Sequence, residues 1–321
     1  MKATPATEKN IQEAGRIIRG GGIVAFPTET VYGLGADALN PEAVARIFEA
    51  KQRPFFDPLI VHIGEMSQLD RVAAMVSEMA RKCAERFWPG PLTMVLPKSN
   101  DIPDIVTAGL STVAVRMPDH DVASRLLAAA GTPVAAPSAN PFGYISPTDA
   151  EHVTRQLGDR VDMILDGGPC VVGVESTIIR LYESGGAVLR HGGLPVEDVE
   201  AITGKLAEKE TPGEPESPGQ LPYHYSPMTP VTLVADLKDA GQLSSSHGVL
   251  AFSTPEIDTG DAHVEVLSPG KSLREAAARL FICMHRLDAL KLERIYAEEV
   301  PQEGLGRAIM DRLRKAAARQ W

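Results

Sequence analysis

Ile11, Ala14, Ile17 and Ile18 recur at helical spacing and stop at Gly20, Gly21 and Gly22, which predicts a first helix and a turn. The unbroken apolar run 23–26 (Ile-Val-Ala-Phe) then reads as a buried strand. Asn40 and Pro41 suit the N-cap and first turn of a second helix, with Val44, Ile47 and Phe48 inward and Pro54 ending it. In 58–63, Leu59, Val61 and Ile63 alternate with Ile60 and His62, the pattern of a strand. Residues 66–87 predict one helix, which Trp88-Pro89-Gly90-Pro91 separates from a strand at 92–96. Over 112–117, Val113, Val115 and Met117 point one way and Thr112, Ala114 and Arg116 the other. A strand entering a polar turn is expected at 133–140, a helix at 149–157, and strands at 163–166, 176–181 and 187–190.

The pattern changes at 208–218, which is rich in Glu, Pro and Gly and lacks an apolar period, as a linker would. Beyond residue 230, strand-like runs at 231–235, 248–252 and 264–267 lead to an amphipathic helix at 272–290. A strand at 294–297 and a helix at 305–318 close the chain. Strands alternating with helices predict a small, mostly parallel α/β domain. On its last helix Arg312, Lys315 and Arg319 read as a solvated basic face. The expected organisation is therefore a first domain at 1–207, a linker at 208–229 and a second domain at 230–321.

With 321 residues the chain can bury two cores, and its composition, 44% hydrophobic and 23% charged, is that of a soluble globular protein. A net charge of −10 argues against an extended basic face for nucleic acid but leaves room for a local cationic pocket. Cys83, Cys170 and Cys283 are far apart, suggesting neither a zinc site nor a disulfide framework. The uncharged stretch 126–148 contains Pro133, Pro137, Pro141 and Pro147, so it is no membrane helix. Without an N-terminal apolar h-region, a cytoplasmic protein is expected.

The chemistry gathers after the predicted strands. Residues 27–37 (Pro-Thr-Glu-Thr-Val-Tyr-Gly-Leu-Gly-Ala-Asp) place two hydroxyls, a carboxylate and a phenol just past a strand end, where α/β proteins build sites. Read alone, this is equally an ordinary strand–turn–helix connection. Arg116 has small neighbours on its strand face and room for an anion, or for a surface salt bridge. Lys51 and Arg53 end a helix, where they would also complement its dipole.

Taken in order, 27–37, Lys51-Gln52-Arg53, 58–62, 87–97, 113–118, 137–140, 166–168, 175–178 and 189–193 resemble the YrdC-like threonylcarbamoyl-AMP synthase family. Ser217-Pro218-Gly219, His224-Tyr225 and Pro227 resemble the linker of its long-form members. The resemblance implies an α/β fold: a YrdC-like twisted mixed sheet domain, a linker and a small Rossmann-like domain. It implies condensation of L-threonine, bicarbonate or CO2, and ATP to threonylcarbamoyl-adenylate and pyrophosphate, with Mg2+ accompanying ATP. The product would go to a threonylcarbamoyl transferase complex that modifies tRNA beside the anticodon; direct tRNA binding stays open, and no membrane is involved. Threonine would meet Thr30, His62, Arg116 and Ser176, with backbone near Ala136. The nucleotide would meet Lys51, Arg53, Thr112, Ser138, Asn140, Ser146, Arg190 and His224, with backbone near Asp57; Lys51 and Arg53 would also be catalytic. No metal-ligand set is implied. Asp57 replaces a frequent Asn, His191 a common Pro and Pro222 a Tyr, which bears on the nucleotide contacts of Asp57 and the linker. Two other classes, a related carbamoyl-adenylate enzyme and an RNA-binding module, fit less well. The 91 residues after Pro230 hold no paired C-x-x-C motif, and the net charge disfavours RNA.

Overall fold

A computed structural model describes residues 2–182, 185–208, 216–221 and 224–318. Among them, eleven strands form one mixed sheet. They are β1 (Thr4–Pro5), β2 (Val24–Phe26), β3 (Gly33–Asp37), β4 (Ile60–His62), β5 (Leu92–Pro97) and β6 (Thr112–Arg116). β7 (Val134–Ala135), β8 (Met163–Asp166), β9 (Thr177–Leu181), β10 (Gly186–Arg190) and β11 (Ala207–Glu208) complete it. The order across the sheet is β1-β8-β2-β3-β7-β4-β6-β5-β9-β10-β11.

Alternation along each strand decides which layer a residue serves. Ala25 of β2 joins the largest core with Leu34, Val61 and Val115, while Val24 and Phe26 meet a second core beneath helices α1 (Glu8–Arg19) and α6 (Asp121–Ala130). His62 shares the side of Phe26, its ring edge-on at 6.2 Å, and Arg116 is its register partner on β6. The other half of this side, past Ile60 and Ala114, is left for the site. Helix α2 (Pro41–Lys51) starts where Asn40 Oδ1 accepts from the amides of Glu42 and Ala43, at 3.0 and 3.2 Å. Its end comes at Gln52, in a left-handed conformation with φ 53°, before Pro54 is reached.

Two expectations are corrected in the first unit. The helix expected over 66–87 is broken into a 3-10 turn (Met66–Gln68), α3 (Leu69–Val72) and α4 (Glu78–Phe87). Between α3 and α4 the amide of Ala74 donates to the Pro97 carbonyl and that of Ser99 to the Val72 carbonyl, both at 2.9 Å. Pairing with the end of β5 thus outweighs helix continuation, and Ser77 Oγ restarts the helix by accepting from Ala80 N at 3.2 Å. The second half of 27–37 is not loop but β3, held between β2 and β7. Its sequence, Gly-Leu-Gly-Ala-Asp, has little strand propensity; tertiary pairing decides.

The second unit is a parallel sheet in the order β12-β15-β13-β14, with β12 (Val231–Val234), β13 (His247–Ala251), β14 (His263–Val266) and β15 (Arg294–Glu298). Helices α5 (Asp104–Thr107), α7 (Ala150–Gln156) and α8 (Val196–Thr203) belong to the first unit, α9 (Leu273–Ala289) and α10 (Leu305–Ala317) to the second. Its last helix corrects a third expectation: Arg312 is completely buried and Lys315 donates to the Gly219 carbonyl at 2.6 Å, so neither forms a solvated face. Arg319, residues 209–215 of the expected linker, Pro222 and Tyr223 lie outside the described residues. No helix among the described residues is long and apolar enough to cross a membrane.

The two units share a core. Val31, Ile145 and Val174 of the first pack with Tyr225, Leu280, Phe281 and Leu313. Gly173 allows this approach: a Cβ on it would stand 2.5 Å from both the Ala277 carbonyl oxygen and Ala278 Cα of α9, and its φ is 77°. Gly173→Ala therefore combines overpacking with an unfavourable backbone angle and is expected to cost at least about 1–3 kcal/mol. Thermal unfolding of the full chain checks this; an unchanged midpoint would mean that the units do not depend on this contact.

Candidate active site

The site forms where several strand ends meet. Thr28 and Thr30 follow β2, His62 and Arg116 end β4 and β6, Ala136 and Ser138 follow β7, Ser176 precedes β9, and Arg190 ends β10. Across the gap lie Pro218, Gly219, His224 and Tyr225 of the linker. Together they enclose a cavity of about 50 Å³, also lined by Val31, Gly33, Arg53, Ile60, Pro137 and Glu175. Pockets for drug-sized ligands run to about 300–1,000 Å³. In this closed form there is space for a few atoms, not for a nucleotide.

Four buried cations surround the cavity, and backbone carbonyls hold most of their donors. Lys51 Nζ donates to the carbonyls of Ser138 and Asn140 and lies 3.4 Å from Asn140 Oδ1. Burial pulls its pKa well down, with Arg53 adding to the effect, yet three acceptors around one nitrogen match the three donors of the ammonium form. Arg53 donates to the carbonyls of Asp57 (3.1 Å) and Pro58 (2.8 Å). Arg190 donates to the Ser176 carbonyl through Nε (3.1 Å) and Nη2 (2.9 Å), to Ser176 Oγ (3.1 Å), and to the Pro218 carbonyl of the linker at 3.3 Å. Arg116 donates to Thr30 Oγ1 at 2.8 Å and to the Gly90 carbonyl at 3.2 Å. The Thr28 hydroxyl gives its proton to the Val31 carbonyl, so the Thr30 hydroxyl donates to Thr28 and accepts from Arg116.

Three carboxylates accompany these cations. Asp57 lies 2.9 Å from Arg53, and burial raises its pKa against the pull of that arginine. The carboxylate therefore points at its own arginine. Glu29 is in ion-pair contact with Arg116, but neither oxygen has an aligned hydrogen bond among the described residues. Glu175 accepts from Ser146 Oγ and from Arg312 Nε. His62 is different: burial, reinforced by Arg116, lowers its pKa to about 3, so it is a neutral imidazole with Nδ1 unpartnered among the described residues.

Of the residues the resemblance implied, Thr30, His62, Arg116, Ala136 and Ser176 line the cavity together, as do Arg53, Ser138, Arg190 and His224. Lys51, Asn140 and Ser146 are buried behind it, joined through the Ser138 and Asn140 carbonyls and through Glu175. Asp57 is reached through Arg53. Thr112 shares the strand face of Arg116 but lies four residues away along β6, about 13 Å, and outside the lining. Glu175 and Arg312 were given no role by sequence reasoning. Glu175 had a signal, its place beside Ser176; Arg312 had none. His191 lies with Nε2 3.1 Å from Glu208, and its carbonyl accepts from Arg312.

The linker is seated by named contacts. Ser226 N donates to the Gly143 carbonyl at 2.9 Å, Gln220 Oε1 accepts from the amides of Glu216 and Ser217, and Arg180 pairs with Glu216 at 2.7 Å. His224 packs between Phe142 and Tyr225, and burial among Arg53, Lys51 and other cations keeps it neutral.

Comparison with known proteins identifies the family of the chain. The Sua5/YciO/YrdC family model, described as "Telomere recombination", matches residues 16–192, and the model "Threonylcarbamoyl-AMP synthase, C-terminal domain" matches 194–318. The threonylcarbamoyl-AMP synthase of Pyrococcus abyssi is 43% identical, with 97% of this chain and 94% of the relative covered. That of Bacillus subtilis is 41% identical, covering 97% and 93%. The crystal structure of P. abyssi Sua5 complexed with L-threonine superposes with a TM-score of 0.89 at 42% identity, over 97% of this chain and 95% of that one. On two matching domain models and full-length identity above 40%, this chain belongs to the threonylcarbamoyl-AMP synthase family.

Proposed function

We propose that this chain joins L-threonine, CO2 or bicarbonate, and ATP into threonylcarbamoyl-adenylate, releasing pyrophosphate. One observation carries the reading: four buried cations, held largely on carbonyl oxygens, surround one cavity beside a neutral histidine and several hydroxyls. Buried cations seek oxygens. A carboxylate and a triphosphate supply better ones than carbonyls do, because charge-assisted hydrogen bonds are the stronger.

In this reading Arg116 and Thr30 receive the threonine carboxylate, and neutral His62 with Ser176 orients its hydroxyl and amine. Arg53 and Arg190 face the phosphates with Lys51 adding its charge from behind, while Ser138, Asn140 and Ser146 shape the nucleotide side. The amine attacks CO2 to give a carbamate. A carbamate oxygen then forms a bond to the α-phosphorus as the bond to pyrophosphate breaks. The chain's work is to place two small reactants against ATP and to stabilise the charge that leaves. Glu29, Asp57 and Glu175 each face an arginine. That donor set fits magnesium carried in by the triphosphate better than a side-chain cage, and the bound ion would add to charge neutralisation on pyrophosphate. The labile product is passed to a threonylcarbamoyl transferase complex acting on tRNA.

The linker also takes part. Its Pro218 carbonyl occupies an Arg190 donor, and its presence leaves about 50 Å³. It moves off for ATP to enter and then closes over the adenylate with its Pro218 carbonyl no longer on Arg190, which shields the product from water. Val31, Ile145 and Val174 are built into the second core, so the tests use the full chain.

The direct test supplies ATP, magnesium, threonine and labelled bicarbonate; labelled adenylate and pyrophosphate are expected, and ATP turnover independent of threonine would refute the reading. Arg190→Ala or Arg53→Ala removes charge-assisted bonds worth roughly 1.5–3 kcal/mol each, about ten- to a hundredfold in ATP affinity. Arg116→Ala instead weakens threonine while sparing ATP. Equal loss of both ligands in either set would contradict the division of the site. Replacing His224 and Tyr225 together by Ala is expected to shorten the lifetime of the adenylate in the presence of enzyme; an unchanged lifetime would remove the shielding role.

A further inference from the structure

Arg312 reaches the site from the far end of the chain. It lies on α10 of the second unit, yet its side chain is 0% exposed, and among the described residues it makes two hydrogen bonds and a ring contact outside α10, all with the border of the active site. Nε donates to Glu175 Oε2 at 2.9 Å, Nη1 donates to the His191 carbonyl at 2.7 Å, and the guanidinium stands 5.0 Å from the centroid of the Tyr225 ring. Glu175 lines the cavity, His191 follows Arg190, and Tyr225 is one of the linker residues that close the cavity. On its own helix Arg312 also meets Asp311, which pairs with Lys315, the donor to the Gly219 carbonyl.

The Glu175 carboxylate is fixed from both ends, one oxygen on Arg312 and the other on Ser146 Oγ. The loops behind these contacts cross closely: a Cβ on Gly192 would stand 2.3 Å from the Glu175 carbonyl oxygen, and the amide of Gly193 donates to that carbonyl at 2.8 Å. Apolar contacts repeat the pattern. Val31, Ile145 and Val174, which sit in the second unit's core, are next to Thr30, next to Ser146, and two residues before Ser176. Without Arg312, Glu175 would be a buried carboxylate with no cation of its own. It would turn toward Arg190, the neighbouring positive charge, and repel an incoming triphosphate.

We infer that Arg312 is a positioning residue for nucleotide binding: it holds Glu175 away from Arg190 and onto Ser146. The second unit is then part of the ATP-binding machinery rather than an appended domain. The inference rests on the synthase reading only in naming ATP as the nucleotide.

The test measures, on the full chain, dissociation constants for a non-hydrolysable ATP analogue with magnesium and for L-threonine. Arg312→Met is expected to weaken the analogue at least about tenfold while threonine stays within about twofold. Arg312→Lys keeps the charge but not the forked contacts, and should weaken the analogue less. Val249→Ala, in the separate core of the second unit's sheet, lowers stability without touching the cavity lining and should leave both constants within about twofold. An unchanged analogue affinity in Arg312→Met, equal loss of both ligands, or the same loss in Val249→Ala would overturn the inference. Should Arg312→Met fail to fold, unchanged analogue affinity in Arg312→Lys would do so. A wild-type chain that binds both ligands but makes no adenylate would count against the synthase reading and leave the Arg312 comparison standing.

Discussion

A positive charge taken out of water must find oxygen, and this constraint organises the molecule. Lys51, Arg53, Arg116 and Arg190 are all at most 6% exposed. Three carboxylates lie near them, and Glu175 is already engaged by Arg312. Most of the remaining contacts are with carbonyls of Ser138, Asn140, Asp57, Pro58, Gly90, Ser176 and Pro218, and the hydroxyls of Thr30 and Ser176 take two more. Carbonyl dipoles can keep a buried cation charged without neutralising it. The free protein therefore carries a compact positive field despite a net charge of −10. Such a field is preorganised for anions, because the cost of desolvating the cations is met on folding.

The fold supplies those carbonyls by ending strands together. Each cation sits at or just beyond a strand or helix terminus, where backbone oxygens lack ladder partners. The register that sets His62 beside Arg116 also brings the chain after β7 against the chain after β2, through the bridge between Gly33 and Ser138. The second unit contributes by enclosure. Its core takes in side chains flanking the site loops, and the linker crosses from one unit to the other over the cavity. Closure and burial thus have one cause, which explains why Ser217, Gln220, His224, Tyr225 and Ser226 of the linker are buried.

Much of this was legible in the sequence, for identifiable reasons. Strand alternation set Arg116 opposite Val113 and Val115, and His62 opposite Leu59 and Val61; that the two share one face follows from the pairing of β4 with β6. The N-cap of Asn40 marked α2 because its side chain bonds locally. Illegible features depended on distant partners. β3 exists through pairing with β2 and β7, and the break in 66–87 through pairing with β5. Arg312 looked like a surface residue because its helix shows a basic stripe, and only Glu175 and Tyr225, over eighty residues earlier, turn that stripe inward. The site was readable as a set of residues; that a linker carbonyl occupies an Arg190 donor was not.

The central claim is that carbonyl oxygens, including one from the linker, stand where nucleotide oxygens will be. Hydrogen exchange of the full chain, with and without a non-hydrolysable ATP analogue and magnesium, tests it directly. Binding is expected to speed exchange in 216–221 and 224–226 as the Pro218 carbonyl leaves Arg190, while the strands around Arg116 and Arg190 exchange no faster. Saturating analogue with the linker amides still fully protected would contradict the account, because nucleotide and seated linker would then occupy the site together.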